Sequence, residues 1–294
     1  MKTNMQGTGV ALVTPFRNGG EVDFGALGTL VDTVTQGGAD FLVVLGTTAE
    51  TPTLSKEEKA DVVACVRERN AGRLPIVIGI GGNCTAGVVR AIEETDTTGI
   101  DAVLSVTPYY NKPSQQGMYE HYRAIAQHSP LPVILYNVPG RTGVNLAAST
   151  TLRLAHEFSN IVAVKEACGS LQQVAYILRD RPAGFKVFSG DDNMALPMIA
   201  LGADGVISVA ANVYSGIFCP MVAQAMQGRF DLAAPAQLRL QEAVDALFEE
   251  GNPTGIKTAM AVKGMIDGSL RLPLVAGSEH LADKMRALIA KYDL

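Results

Sequence analysis

Eight short apolar runs recur along the chain, and their regular spacing constrains the fold more than any other feature. Their starts lie 20 to 34 residues apart, with helix-like stretches between them. Continuous apolar, β-branched runs are typical of strands that are buried on both faces, as in parallel sheets. The runs are GVALVTPF (9–16), FLVVLGT (41–47), PIVIGIGG (75–82), AVLSVTPYY (102–110), PVILYNVP (132–139), IVAVKEA (161–167), FKVFSGDD (185–192) and GVISVAAN (205–212).

The stretches between these runs have helix signals. Residues 55–70 begin with Ser55 and carry Glu58 three residues later, which is a capping box. Residues 85–99 form a second predicted helix that closes on Gly99. Eight strands alternating with helices predict an α/β protein, a (β/α)₈ TIM barrel, which needs roughly 250 residues. A doubly wound open sheet is the alternative, but the GxGxxG turn expected after its first strand is absent.

The domain organisation follows from where the strand pattern stops. Residues 1–212 are predicted to form the catalytic barrel domain. Residues 213–294 are predicted to form the last barrel helix and a C-terminal helical extension packed on the barrel. A break is expected at Gly251-Asn252-Pro253.

Composition excludes several kinds of partner. The net charge is −5, whereas nucleic acids and anionic membranes bind clustered basic surface. The four cysteines and four histidines have no metal-ligand spacing, so no metal or cofactor is expected. The N-terminal apolar run is too short for a signal peptide or a membrane span, which favours the cytoplasm.

Polar side chains follow the predicted strands at the barrel end that carries active sites. Lys165 interrupts the apolar run 161–167 and, by alternation, shares a face with Ile161 and Ala163. Desolvating an ammonium is costly, so a lysine on a buried strand is unusual. From spacing alone, Lys165 is equally a structural ion-pair partner, for example of Glu166, or a nucleophile that attacks a carbonyl as the neutral amine.

Four further residues lie near strand ends, and each has an ordinary alternative. Tyr136 is either a core residue or a proton relay to Lys165. Thr47 and Thr48 are either turn hydroxyls or donors to a carboxylate. Arg141 is either a solvated loop residue or a bidentate carboxylate ligand.

The chain resembles the pyruvate-dependent class I (Schiff-base) aldolase superfamily, and most closely its 4-hydroxy-tetrahydrodipicolinate synthase family, along essentially its whole length. One motif would be weak evidence, but six in order and spacing are strong. The motifs are GTTAE (46–50), VTPYYNKPSQQG (106–117), YNVPGRTG (136–143), VKEA (164–167), SGDD (189–192) and GVISV (205–209). Ala49 departs from the glycine usual in the family, which matters if that residue needs a positive φ.

The resemblance implies an enzyme of the lyase class in diaminopimelate and lysine biosynthesis. It implies that Lys165 forms a Schiff base with pyruvate, while Tyr136, Thr47 and Tyr110 form a proton relay, with Tyr110 coming from the adjacent subunit. Thr48, Gly190 and the backbone around Ile207 would hold pyruvate. Arg141 would bind the carboxylate of L-aspartate 4-semialdehyde. A homotetramer, a dimer of dimers, is expected.

Two rival functions and one regulatory question stay open. The rivals are a lyase for N-acetylneuraminate or keto-deoxy-sugar acids, which usually lacks the arginine at position 141, and a catalytically dead regulatory homologue.

Family members inhibited by L-lysine bind it beside the tyrosine that matches Tyr109. Asn83 matches their asparagine, but Gly87 replaces a glutamate, Lys59 replaces a histidine, and Lys56 replaces a second frequent histidine upstream. Weak or absent inhibition is therefore expected, because the effector's two ammonium groups need acidic partners.

Overall fold

The structure is a computed structural model that describes residues 5–294, and these residues form a closed barrel of eight parallel strands. The strands are β1 (Gly7–Ala11), β2 (Phe41–Val44), β3 (Ile76–Gly79), β4 (Ala102–Val106), β5 (Val133–Asn137), β6 (Ile161–Glu166), β7 (Lys186–Ser189) and β8 (Gly205–Ser208). The barrel closes where Gly7 of β1 pairs with Gly205 of β8. The predicted TIM barrel is confirmed: seven of the eight apolar runs contain one strand each, and the first run overlaps β1, which begins two residues earlier at Gly7.

Twelve helices surround and follow these strands in the described region. They are α1 (Phe24–Gln36), α2 (Lys56–Asn70), α3 (Thr85–Glu93), α4 (Gln115–His128), α5 (Pro139–Thr142), α6 (Ala148–Glu157), α7 (Leu171–Asp180), α8 (Ala195–Ala200), α9 (Ala211–Met226), α10 (Phe230–Glu249), α11 (Thr254–Val262) and α12 (Glu279–Tyr292). No helix within residues 5–294 combines the length and the apolar character needed to span a membrane.

The two helices predicted between strands differ in how well the sequence predicted their ends. The capping box of α2 is present: the Ser55 N–H donates to Glu58 Oε2 at 2.9 Å, and the Glu58 N–H donates to Ser55 Oγ at 3.1 Å. Helix α3 ends at Glu93, so its predicted extension to Gly99 was wrong. Asp96 Oδ1 accepts the Thr98 N–H at 3.0 Å, a local turn that competes with helical hydrogen bonding.

Strand β6 carries a bulge that changes which side chains face the barrel interior. Val133 pairs with Ile161, but the next residue, Ile134, pairs with Ala163, so Val162 is an extra residue. Ala163 packs in the barrel interior, whereas Ile161 belongs to the layer packed under the helices. The expectation that Ile161 shares a face with Lys165 was wrong, because a bulge shifts the alternation by one residue.

The helices after β8 bring the C-terminal region over the barrel. Helix α9 packs on β1 and β8, and α10 packs on α9, α11 and α12. The predicted break between α10 and α11 is confirmed, with Gly251 at φ 87° and Asn252 next to it. This break carries Asn252 to the carboxyl end of β2, where its side chain meets Thr48.

Candidate active site

A cavity of about 590 Å³ lies at the carboxyl ends of the strands. In barrels of this type, that end carries the functional groups. The cavity brings together most of the residues that the sequence singled out, together with residues of the C-terminal region. Its polar and functional lining includes Thr47, Thr48, Tyr109, Tyr136, Arg141, Lys165, Gly190, Asp191 and Asn252.

Lys165 and Tyr136 form the centre of this cavity. They are register partners on the neighbouring strands β6 and β5, and Lys165 Nζ lies 4.4 Å from the centroid of the Tyr136 ring. Lys165 is 5% exposed and Tyr136 is 7% exposed. A largely desolvated amine beside a phenol, at the floor of an open cavity, suits attack on a small carbonyl compound.

Glu166 does not pair with Lys165, although the sequence left that salt bridge open. Its carboxylate accepts hydrogen bonds from Asn137 Nδ2 at 2.8 Å, Gln173 Nε2 at 2.9 Å and the Cys168 N–H at 3.0 Å. Burial raises the pKa of Glu166, and these donors oppose the shift. The structure therefore excludes Glu166 as an ion-pair partner of Lys165.

Two aspartates follow β7 near the amine, of which Asp192 is buried and Asp191 is half-buried. Burial raises the pKa of Asp191, and the charge of Lys165 acts in the opposite direction. Burial also raises the pKa of Asp192, whose Oδ2 accepts the Ala210 N–H at 2.9 Å. Asp192 thus ties the end of β7 to the start of α9, and Asp191 lines the cavity itself.

A tight turn after β2 presents Thr47 and Thr48 to the cavity. Thr48 Oγ1 accepts a hydrogen bond from Asn252 Nδ2 at 3.0 Å, and Thr14 Oγ1 donates to the Ala49 carbonyl at 2.8 Å. The left-handed conformation falls on Leu45 at φ 56° and Glu50 at φ 53°, not on Ala49. Alanine in place of the usual glycine therefore introduces no backbone strain at that position.

Arg141 lies in the short helix α5 at the cavity wall. Its NH2 donates to the Asn252 carbonyl at 2.9 Å, so Asn252 contacts both Arg141 and Thr48. Sequence reasoning located the break at Asn252 but did not assign it to the site. The only local signal in the sequence was an asparagine before a proline in a predicted helix break, which points to structure as readily as to function.

Three predicted site residues differ in their relation to the cavity. Gly190 lines it, and a Cβ there would lie 2.6 Å from the Ala167 Cβ, so a side chain would not fit. Ile207 is fully buried in the barrel interior and is not part of the lining. Tyr110 is 87% exposed at φ 72° and is also outside its own chain's cavity lining, whereas Tyr109 contributes to it.

Two of the candidate effector residues line the cavity, and Asn83 and Gly87 do not. Lys59 and Tyr109 line the cavity. Asn83 is exposed, and its carbonyl accepts a hydrogen bond from Asn111 Nδ2 at 3.2 Å. Lys56 Nζ pairs with Glu94 at 2.8 Å, so its charge is partly balanced. Gly87 offers no carboxylate beside Asn83.

No grouping of three or more His, Cys, Asp or Glu side chains suited to a metal ion occurs in residues 5–294. The cavity lining instead offers the amines of Lys165 and Lys59, several hydroxyls, the carboxyl groups of Glu50 and Asp191, and the guanidinium of Arg141. Fold and cavity together define a TIM-barrel protein with a buried lysine at the end of its sixth strand.

Comparison with known proteins places the chain within that class. The Dihydrodipicolinate synthetase family matches residues 4–292, and the chain belongs to this family. The 4-hydroxy-tetrahydrodipicolinate synthase of Phocaeicola vulgatus is 51% identical, covering 98% of this chain and 97% of that protein. The Parabacteroides distasonis protein of the same name is 50% identical, covering 99% of this chain and 98% of its own.

Solved structures of relatives have the same fold. A dihydrodipicolinate synthase from Acinetobacter baumannii, complexed with pyruvate, superposes with a TM-score of 0.95 at 39% identity, covering 98% of this chain and 99% of that one. A Cyanidioschyzon merolae relative with lysine bound has a TM-score of 0.95 at 37% identity, covering 100% of both chains. The resemblance inferred from the motifs is confirmed at the level of family and fold.

Proposed function

We propose that the chain is a 4-hydroxy-tetrahydrodipicolinate synthase that condenses pyruvate with L-aspartate 4-semialdehyde. The observation that carries the proposal is the Lys165 amine, which lies 4.4 Å from the Tyr136 ring centroid in an open cavity. The relatives that match nearly the full chain carry this name. The reaction would serve the diaminopimelate route to lysine, in the cytoplasm.

Lys165 would act as the nucleophile. Its neutral amine attacks the keto carbon of pyruvate to give a carbinolamine, and loss of water gives the protonated imine. Removal of a methyl proton then gives the enamine. The enamine carbon bonds to the aldehyde carbon of the semialdehyde, whose oxygen takes up a proton. The amino group of the new adduct attacks the imine carbon, and the Lys165 amine leaves as the ring closes.

Tyr136, Thr47 and Tyr110 would move the protons. The role of Tyr136 is supported by its ring, whose centroid lies 4.4 Å from Lys165 Nζ. Tyr110 is 87% exposed and outside the lining of its own cavity, so its participation requires a neighbouring subunit. We propose a homotetramer in which Tyr110 completes the site of its dimer partner.

The carboxylates of the two substrates would bind on different sides of the cavity. Thr47 and Thr48 present a tight turn with hydroxyl and N–H donors, which suits the pyruvate carboxylate, with Gly190 and the backbone near Ile207 close to the bound substrate. Arg141 stands on the α5 wall, held by the Asn252 carbonyl, and suits the semialdehyde carboxylate. Residues 1–212 would thus supply the reacting groups, and residues 213–294 would support them.

Borohydride trapping followed by an acceptor assay tests the proposal. The protein incubated with pyruvate and borohydride should gain one reduced pyruvate per chain by mass spectrometry, and should then consume the semialdehyde in turnover. An adduct with pyruvate but activity only toward sugar acids would identify the rival aldolase. Absence of any adduct would identify a catalytically dead homologue and overturn the proposal.

A further inference from the structure

The turn that presents Thr47 and Thr48 has an unfavourable backbone conformation at both ends. Leu45 has φ 56° and Glu50 has φ 53°, both in the left-handed region. Residues with a Cβ rarely adopt this region, and such strain persists only where surrounding contacts hold it. The contacts of Glu50 therefore decide how firmly the turn is fixed.

Glu50 is held by a buried lysine from the C-terminal region. Lys257 Nζ lies 2.5 Å from Glu50 Oε1, and both side chains are 0% exposed. Glu50 Oε2 accepts the Arg271 N–H at 3.0 Å. Lys257 Nζ also donates to the Ser269 carbonyl at 3.0 Å and lies 4.1 Å from the centroid of the Phe16 ring. Burial lowers the pKa of Lys257 to about 8, and Glu50 opposes that shift.

The helix that carries Lys257 is linked to the substrate groups by a second route. Asn252 lies just before α11, and its side-chain amide donates to Thr48 Oγ1 at 3.0 Å. Its carbonyl accepts the bond from Arg141 at 2.9 Å. One end of α11 thus touches the predicted binding groups of both substrates, and Lys257 attaches that same helix to the turn.

Stability alone is a poor explanation for a buried ion pair in this position. Desolvation offsets much of the attraction between two buried charges, and well-packed neutral replacements are often as stable. A buried ion pair of fixed geometry does, however, fix the position of one chain segment relative to another. Here the segments are the turn at the end of β2 and helix α11, which are far apart in sequence.

We propose that Glu50 and Lys257 are positioning residues for pyruvate binding, acting through the turn that carries Thr47 and Thr48. The inference rests on the proposed function, because it concerns the pyruvate half-reaction of that site. Neither side chain acts on the reacting atoms: Glu50 fixes the turn, and Lys257 fixes Glu50.

The test compares Glu50→Gln, Lys257→Met and the double variant E50Q/K257M. Each is assayed for its unfolding midpoint, the apparent pyruvate KM, and the rate of borohydride-trapped adduct formation. Either single change leaves one buried group without its oppositely charged partner and lowers the midpoint. The double variant should recover much of the midpoint yet keep a pyruvate KM raised about tenfold to a hundredfold, because small misplacements in a binding site are costly.

Lys186→Met is the matched control. Lys186 Nζ pairs with Asp204 at 2.8 Å, and both side chains are largely buried at the opposite end of the barrel, where Arg181 also pairs with Asp204. This control should lower the midpoint and leave the pyruvate KM unchanged, which separates positioning from general stability.

Two outcomes overturn the proposal. One is a double variant that binds pyruvate as the parent does. The other is a double variant that does not fold, since the pair would then serve the whole fold. Failure of the parent protein to form any pyruvate adduct would instead refute the proposed function, so the two failures are distinguishable.

Discussion

Replacing Arg141 with alanine separates the two halves of the proposed reaction. Arg141 is exposed at the cavity wall, and its NH2 is oriented by the Asn252 carbonyl at 2.9 Å. A hydrogen bond between charged groups contributes about 1.5–3 kcal/mol, and exposure to solvent favours the lower part of that range. Because about 1.4 kcal/mol corresponds to a factor of ten, kcat/KM for the semialdehyde should fall about tenfold to thirtyfold.

The assay measures both half-reactions in the same preparation. Steady-state turnover against the semialdehyde, at saturating pyruvate, reports the loss. Borohydride trapping with pyruvate alone should proceed at nearly the parent rate, because Arg141 is assigned to the second substrate. Arg123→Ala is the control, since Arg123 is a half-exposed residue of α4 paired with Glu120. Equal losses in trapping and in turnover would refute the separation of the two carboxylate sites.

Three further predictions concern regulation, assembly and pH. L-lysine should inhibit weakly or not at all in initial-rate measurements, because Gly87 supplies no carboxylate beside Asn83; strong inhibition at submillimolar effector would contradict this. Tyr110→Phe should reduce turnover without changing the oligomeric state measured by sedimentation, and a fully active monomer would exclude the shared relay. Burial lowers the pKa of His121 from 6.5 to about 4, so the folded protein binds fewer protons than the unfolded chain between these values. The free energy of unfolding should therefore fall as the pH drops from about 6.5 to 4, by up to about 3 kcal/mol, and His121→Asn should flatten that dependence in denaturant titrations.

The barrel could be predicted because its signal is local and repeated. Each apolar run coincides with or overlaps a strand, and the capping box at Ser55 marks the start of α2 correctly. The end of α3 could not be placed, because the side chain of Asp96 competes for the backbone in a way that helix periodicity does not reveal. The bulge at Val162 was equally hidden, since it depends on the register with β5.

The site was predictable where single residues break a pattern. Lys165 stands out as a charged residue in an apolar strand. Tyr136 could be predicted because it lies near the end of the neighbouring strand. Asn252 and Lys257 give no such signal, because their roles come from contacts with Thr48 and Glu50, about two hundred residues earlier in the chain. A lysine in a helix is ordinarily solvent-exposed, and only the tertiary structure shows that Lys257 is buried.

The most direct test of the central claim is peptide mapping after borohydride reduction in the presence of pyruvate. The account predicts one modified residue per chain, Lys165, and no modification in the variant Lys165→Arg, because a guanidinium stays protonated and is not a nucleophile. Lys257 serves as an internal control, since it is buried against Glu50 and outside the cavity lining. A trapped adduct of unchanged stoichiometry in Lys165→Arg, or one mapped to another lysine, would contradict the account.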